Sequence, residues 1–563
     1  MTALVEEPPF VAPDPLADGT EDSSPVQLPG PVPAPDPEPV HTPVSGQDEA
    51  PASPAYRYDR LLVVGAVAVV VAGITLRFVA TSGMWLDEAL TSDIARLPLS
   101  QLHAALLRDG SPPLYYVLLH FWMGAFGSSA FAERALAGVM SCATLPLVWV
   151  AARRIGGRAM AICALVVVAT SPFAVDYATE NRMYSLVMLL VAAGVVALGS
   201  SIRRPTRSNL LAVGAVCALL LYSHYWSIYL VGATGIWLSH QAWRGPEPRR
   251  RGARLSLVAM MAGCVAFAPW LATFVFQVRH TGSPWAGTGS FAVVYDSLTS
   301  LAGAPTYQGW ALAAVYLGLL LLVLIGVARG GRHVDLALRA NEKVLALAVF
   351  ATLALALVGG YLSDSAFQAR YASVVFVLMA LVLALGLGSF TGKRARAGAL
   401  VVVAALGLAT SLPNAWTSRT EAGQVAAALA RSARPGDLVA FCPDQLGPAV
   451  SVLLPDGRYG TITFPRSTPA TLVDWVDYAK ATETASPAAF ASHLEQMARD
   501  GQTIWLVWAP GYQTFGFKCQ EIYSDLGSDP RLRGSLVLPF RHVDNSWVAY
   551  EGMELLRFTS ASR

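Results

Sequence analysis

From about residue 60 to residue 413 the chain is a succession of apolar runs, 15–22 residues long, broken by short polar loops. A helix rises about 1.5 Å per residue and the hydrocarbon core of a bilayer is about 30 Å thick, so runs of this length predict membrane-spanning helices. They fall at 60–80, 131–152, 158–175, 183–201, 209–223, 226–243, 255–275, 308–328, 343–362, 371–390 and 397–413. Only 14% of the residues are charged and 54% are hydrophobic, whereas an ordinary soluble chain is about a quarter charged. Lipid is therefore the expected solvent. The net charge of +2 gives no sign of nucleic acid or acidic partners.

The apolar segment 113–127 either crosses the membrane or lies along its interface, and the distribution of charge decides between the two. With an interfacial 113–127 and a cytoplasmic N-terminus, the inner loops, together with Arg57 and Arg60, hold 20 Lys and Arg residues. The outer loops and their flanks hold seven: Arg77, Arg96, Arg108, Arg134, Arg182, Arg279 and Arg370. Making 113–127 a span inverts every later loop and breaks the positive-inside rule five times. The sequence thus predicts about eleven transmembrane helices in a cell-membrane protein, with the N-terminus cytoplasmic and the C-terminus outside.

Residues 1–56 are rich in Pro, Ala, Asp and Glu and contain no apolar stretch, which predicts a disordered cytoplasmic tail followed by a retained first helix. Residues 57–413 form the membrane domain. Residues 414–563 change character, and stretches such as Gln424–Arg431, Asp437–Cys442, Thr461–Phe464, Thr503–Trp508 and Trp547–Tyr550 predict the helices and strands of an extracytoplasmic α/β domain. Cys442 and Cys519 lie in this region and form either a disulfide or two unpaired thiols. No C-x-x-C or His cluster has the spacing of a structural zinc site.

The first outer loop, 81–130, carries the most chemistry. It opens Gly83-Met84-Trp85-Leu86-Asp87-Glu88-Ala89, two adjacent carboxylates beside an interfacial Trp. They are either solvated loop acids or a general base with a neighbour that tunes it or binds substrate. Asp109-Gly110-Ser111-Pro112-Pro113-Leu114-Tyr115-Tyr116 follows, and then Phe126-Gly127-Ser128-Ser129-Ala130-Phe131-Ala132-Glu133-Arg134.

The ordered set Trp-x-Asp-Glu-Ala, Pro-Pro-Leu-Tyr-Tyr and Phe-Gly-x-x-x-Phe-Ala-x-Arg resembles polyprenyl-phosphate-sugar-dependent glycosyltransferases of the GT-C type. Protein O-mannosyltransferases and bacterial aminoarabinose transferases belong to this group. The resemblance covers roughly residues 60–390 and departs at Ser111, where relatives often carry His before the Pro-Pro pair. It implies the GT-C fold, a polyprenyl-phosphate sugar donor, and a glycan, lipid or protein acceptor. It also implies inverting attack by an acceptor hydroxyl, with Asp87 as the base and Glu88 as its partner or a sugar contact.

The departing phosphate needs cations at the outer face. Arg182, in the junction Asp176-Tyr177-Ala178-Thr179-Glu180-Asn181-Arg182-Met183-Tyr184, and Arg370, in Gln368-Ala369-Arg370-Tyr371, are candidates because both depart from the inside bias. Asp109, Tyr184 and Tyr371 join them as candidate substrate contacts. His224 and Tyr225, in Ser223-His224-Tyr225-Trp226, supply either a sugar-binding donor or interfacial packing. The loop 276–307, with Arg279, His280 and Trp285, is a candidate gate. The turn after Cys442, Pro443-Asp444-Gln445, is a candidate acceptor contact or a structural turn. A divalent ion (Mg or Mn) bridging Asp87, Glu88 and the phosphate suits the chemistry, although the spacing does not demand one.

Mannose is the first expectation for the donor sugar. Arabinofuranose, from a cell-wall assembly reaction, is the second, because the Pro-, Ala-, Arg- and Gly-rich composition suits an actinobacterium. A transporter would place ionisable residues near the middle of the spans, and these spans are nearly free of charge. A non-catalytic assembly or sensor protein would leave the Asp87–Glu88 loop without a role.

Overall fold

The computed structural model describes residues 54–282, 290–325, 340–363, 368–390, 392–499, 502–512, 514–541 and 550–561. The tail up to residue 53, Trp285 in the expected gate, most of the Arg329–Lys343 loop and positions 547–549 of the last expected strand lie outside the described residues. Residues 58–563 form one compact unit.

The apolar runs are helices. They comprise α1 (Pro54–Leu76), then, after three helices of the first loop described next, α5 (Ala130–Thr170), the one-turn α6 (Pro172–Asp176), α7 (Tyr184–Arg203), α8 (Arg207–Ser223), α9 (Ser227–Arg244), α10 (Arg249–Ala266) and α11 (Leu271–His280). After the short α12 (Phe291–Ser300) come α13 (Tyr307–Ile325), α14 (Ala340–Ser363), α15 (Ser373–Gly388) and α16 (Lys393–Ser411). Among the described residues, seven helical segments are long and apolar enough to cross a membrane, α5 counted once. α5 nevertheless breaks at Gly156 and at Gly157, whose φ of 79° strongly favours a residue without a Cβ. The break falls between the two runs expected at 131–152 and 158–175. α15 is the centre of the bundle, buried at every residue from Ser373 to Leu387. Its neighbours α13, α14 and α16 instead turn large apolar side chains outward, among them Leu317, Leu347 and Val401, as lipid contact requires.

The first loop is not an open loop. It folds into α2 (Leu86–Arg96), α3 (Leu99–Asp109) and α4 (Leu114–Phe126). At 13 residues, α4 is only about 20 Å long, too short for a bilayer core. Leu86, Leu90 and Ile94 recur every four residues along α2, and this stripe is buried.

The stripe is buried against the C-terminal region. There α17 (Ala422–Ser432) leads into a five-stranded sheet ordered β2-β1-β3-β5-β4. β1 (Leu438–Cys442), β2 (Gly460–Thr463) and β3 (Ile504–Trp508) are parallel, while β5 (Glu554–Ser560) runs antiparallel to both β3 and β4 (Leu532–Leu538). β1 and β3 are buried at every residue, as central strands covered on both faces must be. One face shares a core with Leu86, Leu90, Ile94, Leu102, Leu106 and Tyr116, and the other with Met84 and Ala89. The first loop therefore contributes side chains to the hydrophobic core on each face of the sheet.

A disulfide joins Cys442, at the end of β1, to Cys519 in α21 (Lys518–Ser528; the intervening helices are α18, Gly447–Ser451, α19, Tyr478–Thr484, and α20, Pro487–Arg499). The bonded residues are 77 apart in sequence, so the cross-link removes substantial freedom from the unfolded chain. Cys519→Ala is expected to lower stability by roughly 2–4 kcal/mol. Thermal unfolding of the detergent-solubilised protein checks this, and an unchanged melting temperature would contradict it.

Candidate active site

Trp85 precedes α2 as its N-cap residue and makes no side-chain cap hydrogen bond, and α2 carries Asp87 and Glu88 in its first turn. Acids there suit the helix dipole. Successive residues of a helix point about 100° apart, so these two carboxylates have different surroundings.

Glu88 points into the protein and is fully buried. Arg134 grips it with both arms of its guanidinium, Nε donating to Oε1 at 2.7 Å and Nη2 to Oε2 at 2.6 Å. The backbone N–H of Asn181 donates to Oε1 at 2.9 Å, and Arg419 lies 4.0 Å from Oε2. Burial alone would raise its pKa, but Arg134, Arg419 and the Asn181 N–H outweigh burial and hold it below the usual carboxylate range.

Asp87 points the other way. Its Oδ2 lies 3.0 Å from Nη1 of Arg370, an ion pair without the alignment of a hydrogen bond, and its side chain is 14% exposed. Arg182 lies on the neighbouring side. Its Nη1 donates to Thr91 Oγ1 at 2.7 Å, to Tyr116 Oη at 3.2 Å and, at 3.5 Å, to the Asp87 carbonyl. Tyr116 in turn donates to Asp109 at 2.7 Å. Burial raises the pKa of Asp109, with Arg182 opposing. The Nε of Arg182 and the Nε of Arg370 are buried without a hydrogen-bond partner among the described residues. A guanidinium has five N–H donors, so both arginines keep donors free beside Asp87.

Aromatic side chains complete the wall. The His224 ring lies 5.0 Å from Tyr371 and 5.9 Å from Tyr184, and the Arg370 guanidinium sits 5.8 Å from the Trp85 ring. His224 Nδ1 accepts the backbone N–H of Trp226 at 3.1 Å, which places its own proton on Nε2. Burial, reinforced by Arg182 and Arg370, lowers its pKa to about 3, so it is a neutral donor at physiological pH.

The geometry thus brings Asp87, Asp109, Arg182, Tyr184, His224, Arg370 and Tyr371 together. Two expected residues lie elsewhere. Tyr225 follows His224 at the break between α8 and α9 and turns away to bond Gln277, while accepting from Trp270 at 2.9 Å. It packs between helices and does not face Asp87. Glu88 backs the site and offers no free lone pair along its Arg134 contacts. A divalent ion bridging Asp87 and Glu88 would share the Glu88 carboxylate with the bidentate Arg134 and the Asn181 N–H. Among the described residues no group of three or more His, Cys, Asp or Glu side chains is placed to hold a metal.

Sequence reasoning missed the brace behind the site. Asn181 donates to Glu133 at 2.9 Å and accepts from Tyr115 at 3.0 Å, which fixes the turn that presents Arg182. Arg419, from beyond the last membrane helix, is buried and bonds Asp176 at 2.8 Å, Thr179 Oγ1 at 2.9 Å and Asn414 at 3.0 Å. Nearby, burial raises the pKa of Glu180 to about 8, and its Oε1 has no hydrogen-bond partner among the described residues.

Residues 110–272 match the family model of dolichyl-phosphate-mannose-protein mannosyltransferases. The fold is similar to that of ArnT from Cupriavidus metallidurans. In the apo state the TM-score is 0.54 at 13% identity, covering 90% of this chain and 98% of that one. The crystal structure of the same protein bound to undecaprenyl phosphate gives a TM-score of 0.51 at 13% identity, covering 90% and 99%. The arabinofuranosyltransferase AftD from Mycobacteria gives 0.50 at 16% identity, covering 90% of this chain and 40% of that one. No curated protein matches the chain by sequence. The chain is a multi-pass helical membrane protein with the GT-C glycosyltransferase fold.

Proposed function

We propose that this protein transfers a sugar, mannose in the first instance, from a polyprenyl-phosphate donor to an acceptor hydroxyl outside the cytoplasm. The observation that carries the proposal is the placement of Asp87 beside two arginines with free N–H donors. In this reading the acceptor oxygen attacks the anomeric carbon and its proton passes to Asp87. The carbon–oxygen bond to phosphate breaks with its electron pair leaving on the phosphate, and the anomeric centre inverts. Arg182 and Arg370 hold the phosphate as its charge grows, which is where fixed donors contribute most to rate. Neutral His224 and Tyr184 present hydrogen-bonding groups to the sugar. Asp109 orients Tyr116 and through it Arg182. Glu88 is a positioning residue. ArnT is described bound to undecaprenyl phosphate, a ligand of the donor class proposed here.

The topology proposed with this reaction has eleven spans, the tail 1–56 inside, the membrane domain 57–413, and the 414–563 region outside. An oxidising exterior suits the Cys442–Cys519 bridge. Labelling with a membrane-impermeant thiol reagent tests the scheme: Glu483→Cys should react in intact cells and Arg251→Cys should not.

The fold's likeness to AftD keeps arabinofuranose as the second donor, so both labelled donors belong in the same assay. Arg182→Ala and Arg370→Ala should each lower kcat/KM for the donor roughly 10- to 100-fold, the loss of one charge-assisted hydrogen bond of about 1.5–3 kcal/mol. Initial rates in detergent micelles over a donor series measure this, and unchanged kcat/KM in both variants would remove the phosphate-binding role.

A further inference from the structure

Gln277 interrupts the apolar run of α11 and is only 2% exposed. A buried amide is tolerated where its donors and its acceptor are paired, and those of Gln277 are. Its Oε1 accepts from Tyr225 Oη, which in turn accepts the indole N–H of Trp270 at 2.9 Å. Its Nε2 donates to the Leu106 carbonyl at 2.7 Å and, at 3.4 Å, to the Ser111 carbonyl.

These two carbonyls bracket the end of α3. The last four carbonyls of a helix lack helical partners, and here several are met from outside. The Leu106 carbonyl takes the Gly110 N–H at 2.9 Å as well as Gln277, and the Arg108 carbonyl takes the Trp475 N–H at 3.1 Å. His103 Nε2 and Thr273 Oγ1 are hydrogen-bonded at 2.9 Å, a second link between α3 and α11. Gly110, left-handed at φ 86°, lies so close to the end of α11 that a Cβ there would meet Thr281 Oγ1 at 2.6 Å. The Asp477 N–H donates to the His280 carbonyl at 2.7 Å, so α11 is itself tied to the C-terminal region.

α3 ends on Asp109. Tyr116 donates to Asp109 at 2.7 Å, and Arg182 Nη1 donates to Tyr116 at 3.2 Å. A shift of the α3 terminus therefore reaches an arginine of the site through two hydrogen bonds.

We propose that Gln277 is a positioning residue for the transfer reaction: by holding the Leu106 and Ser111 carbonyls it fixes Asp109, and through Tyr116 it aims Arg182 at the donor phosphate. This rests on the glycosyltransferase reading above. It gives Tyr225 a part as the donor that orients the Gln277 amide, with no requirement that either residue touch substrate. A misplacement of about 1 Å costs on the order of 10²-fold in rate, so a partial loosening belongs in kcat/KM for the donor.

The test uses the full-length protein in detergent. Gln277→Met keeps the length of the side chain and removes its hydrogen bonds, whereas Tyr225→Phe takes away only the donor to Oε1 and leaves the Leu106 contact. Gln277→Met is expected to lower kcat/KM for the donor roughly 10-fold, and Tyr225→Phe less, in the same direction. A double-mutant cycle with Arg182→Ala separates aiming from mere support. In the Arg182→Ala background Gln277→Met should cost less than about twofold, because the group it aims is gone. The same loss in both backgrounds would overturn the proposal, as would wild-type kcat/KM in Gln277→Met. If Gln277→Met does not fold, the cycle with Tyr225→Phe decides in the same way. Hydrogen–deuterium exchange gives a readout independent of activity: amides of residues 108–111 should exchange faster in both variants, with α7 and α15 unchanged, and unaltered exchange there would also overturn the proposal. A wild type inactive with every polyprenyl-phosphate sugar would overturn the functional reading, and the exchange result would still decide whether Gln277 holds the end of α3.

Discussion

Asp87→Asn is expected to lower kcat for sugar transfer by roughly 10²- to 10⁴-fold, the usual contribution of a general base. Asn keeps the shape of the side chain and its place in the first turn of α2, but its amide cannot take the proton of the attacking hydroxyl. It also loses the charge that pairs with Arg370 at 3.0 Å. The donor KM should change far less than kcat, because the free donors of Arg182 and Arg370 remain. The buried core around α2 is untouched, since Asp87 contributes nothing to the apolar stripe of Leu86, Leu90 and Ile94. Initial rates at equal amounts of folded protein provide the check.

The second large effect is on folding. Arg134→Met should destabilise the protein by roughly 3–5 kcal/mol, because it strips a bidentate partner from a fully buried carboxylate. Arg134 also donates to the carbonyls of Ser82 at 2.7 Å and Gly83 at 3.0 Å, so the approach to α2 loosens as well. The double variant Arg134→Met/Glu88→Leu should recover part of the loss, since no unpaired charge is then left inside. Fluorescence-detected thermal unfolding in detergent measures both. A single variant that melts with the wild type would show that the pair does not hold the site together.

Glu88 also shows where sequence reasoning reaches its limit. The carboxylates of Asp87 and Glu88 are adjacent, and a loop would let both face substrate. A helix separates them by about 100°, and α2 is a helix because Leu86, Leu90 and Ile94 bury one face against the sheet. Acids in a first turn are themselves a helix-start signal, so this part was readable in principle. The division between His224 and Tyr225 was not, because it depends on which way the chain turns at the α8–α9 break.

The membrane helices were legible because their signal is local: an apolar run of sufficient length needs no knowledge of its neighbours. Arg182 and Arg370 were singled out by a different route, as cations expected against the charge bias, and the fold brings both beside Asp87. Arg419 and Asn181 could not be found that way. Each acts across a large separation, as when Arg419 reaches Asp176 over 243 positions, and nothing in the local sequence marks it. β5 was missed too, whereas β1, β2 and β3 fall where alternation and β-branched residues placed strands.

The measurement that bears most directly on the central claim is transfer of label from radiolabelled polyprenyl-phosphate mannose, with the arabinofuranose donor in parallel, by membranes holding equal amounts of wild type or Asp87→Asn. The account predicts transfer from one of the two donors by the wild type and loss of that transfer in the variant. Undiminished transfer by Asp87→Asn would contradict it.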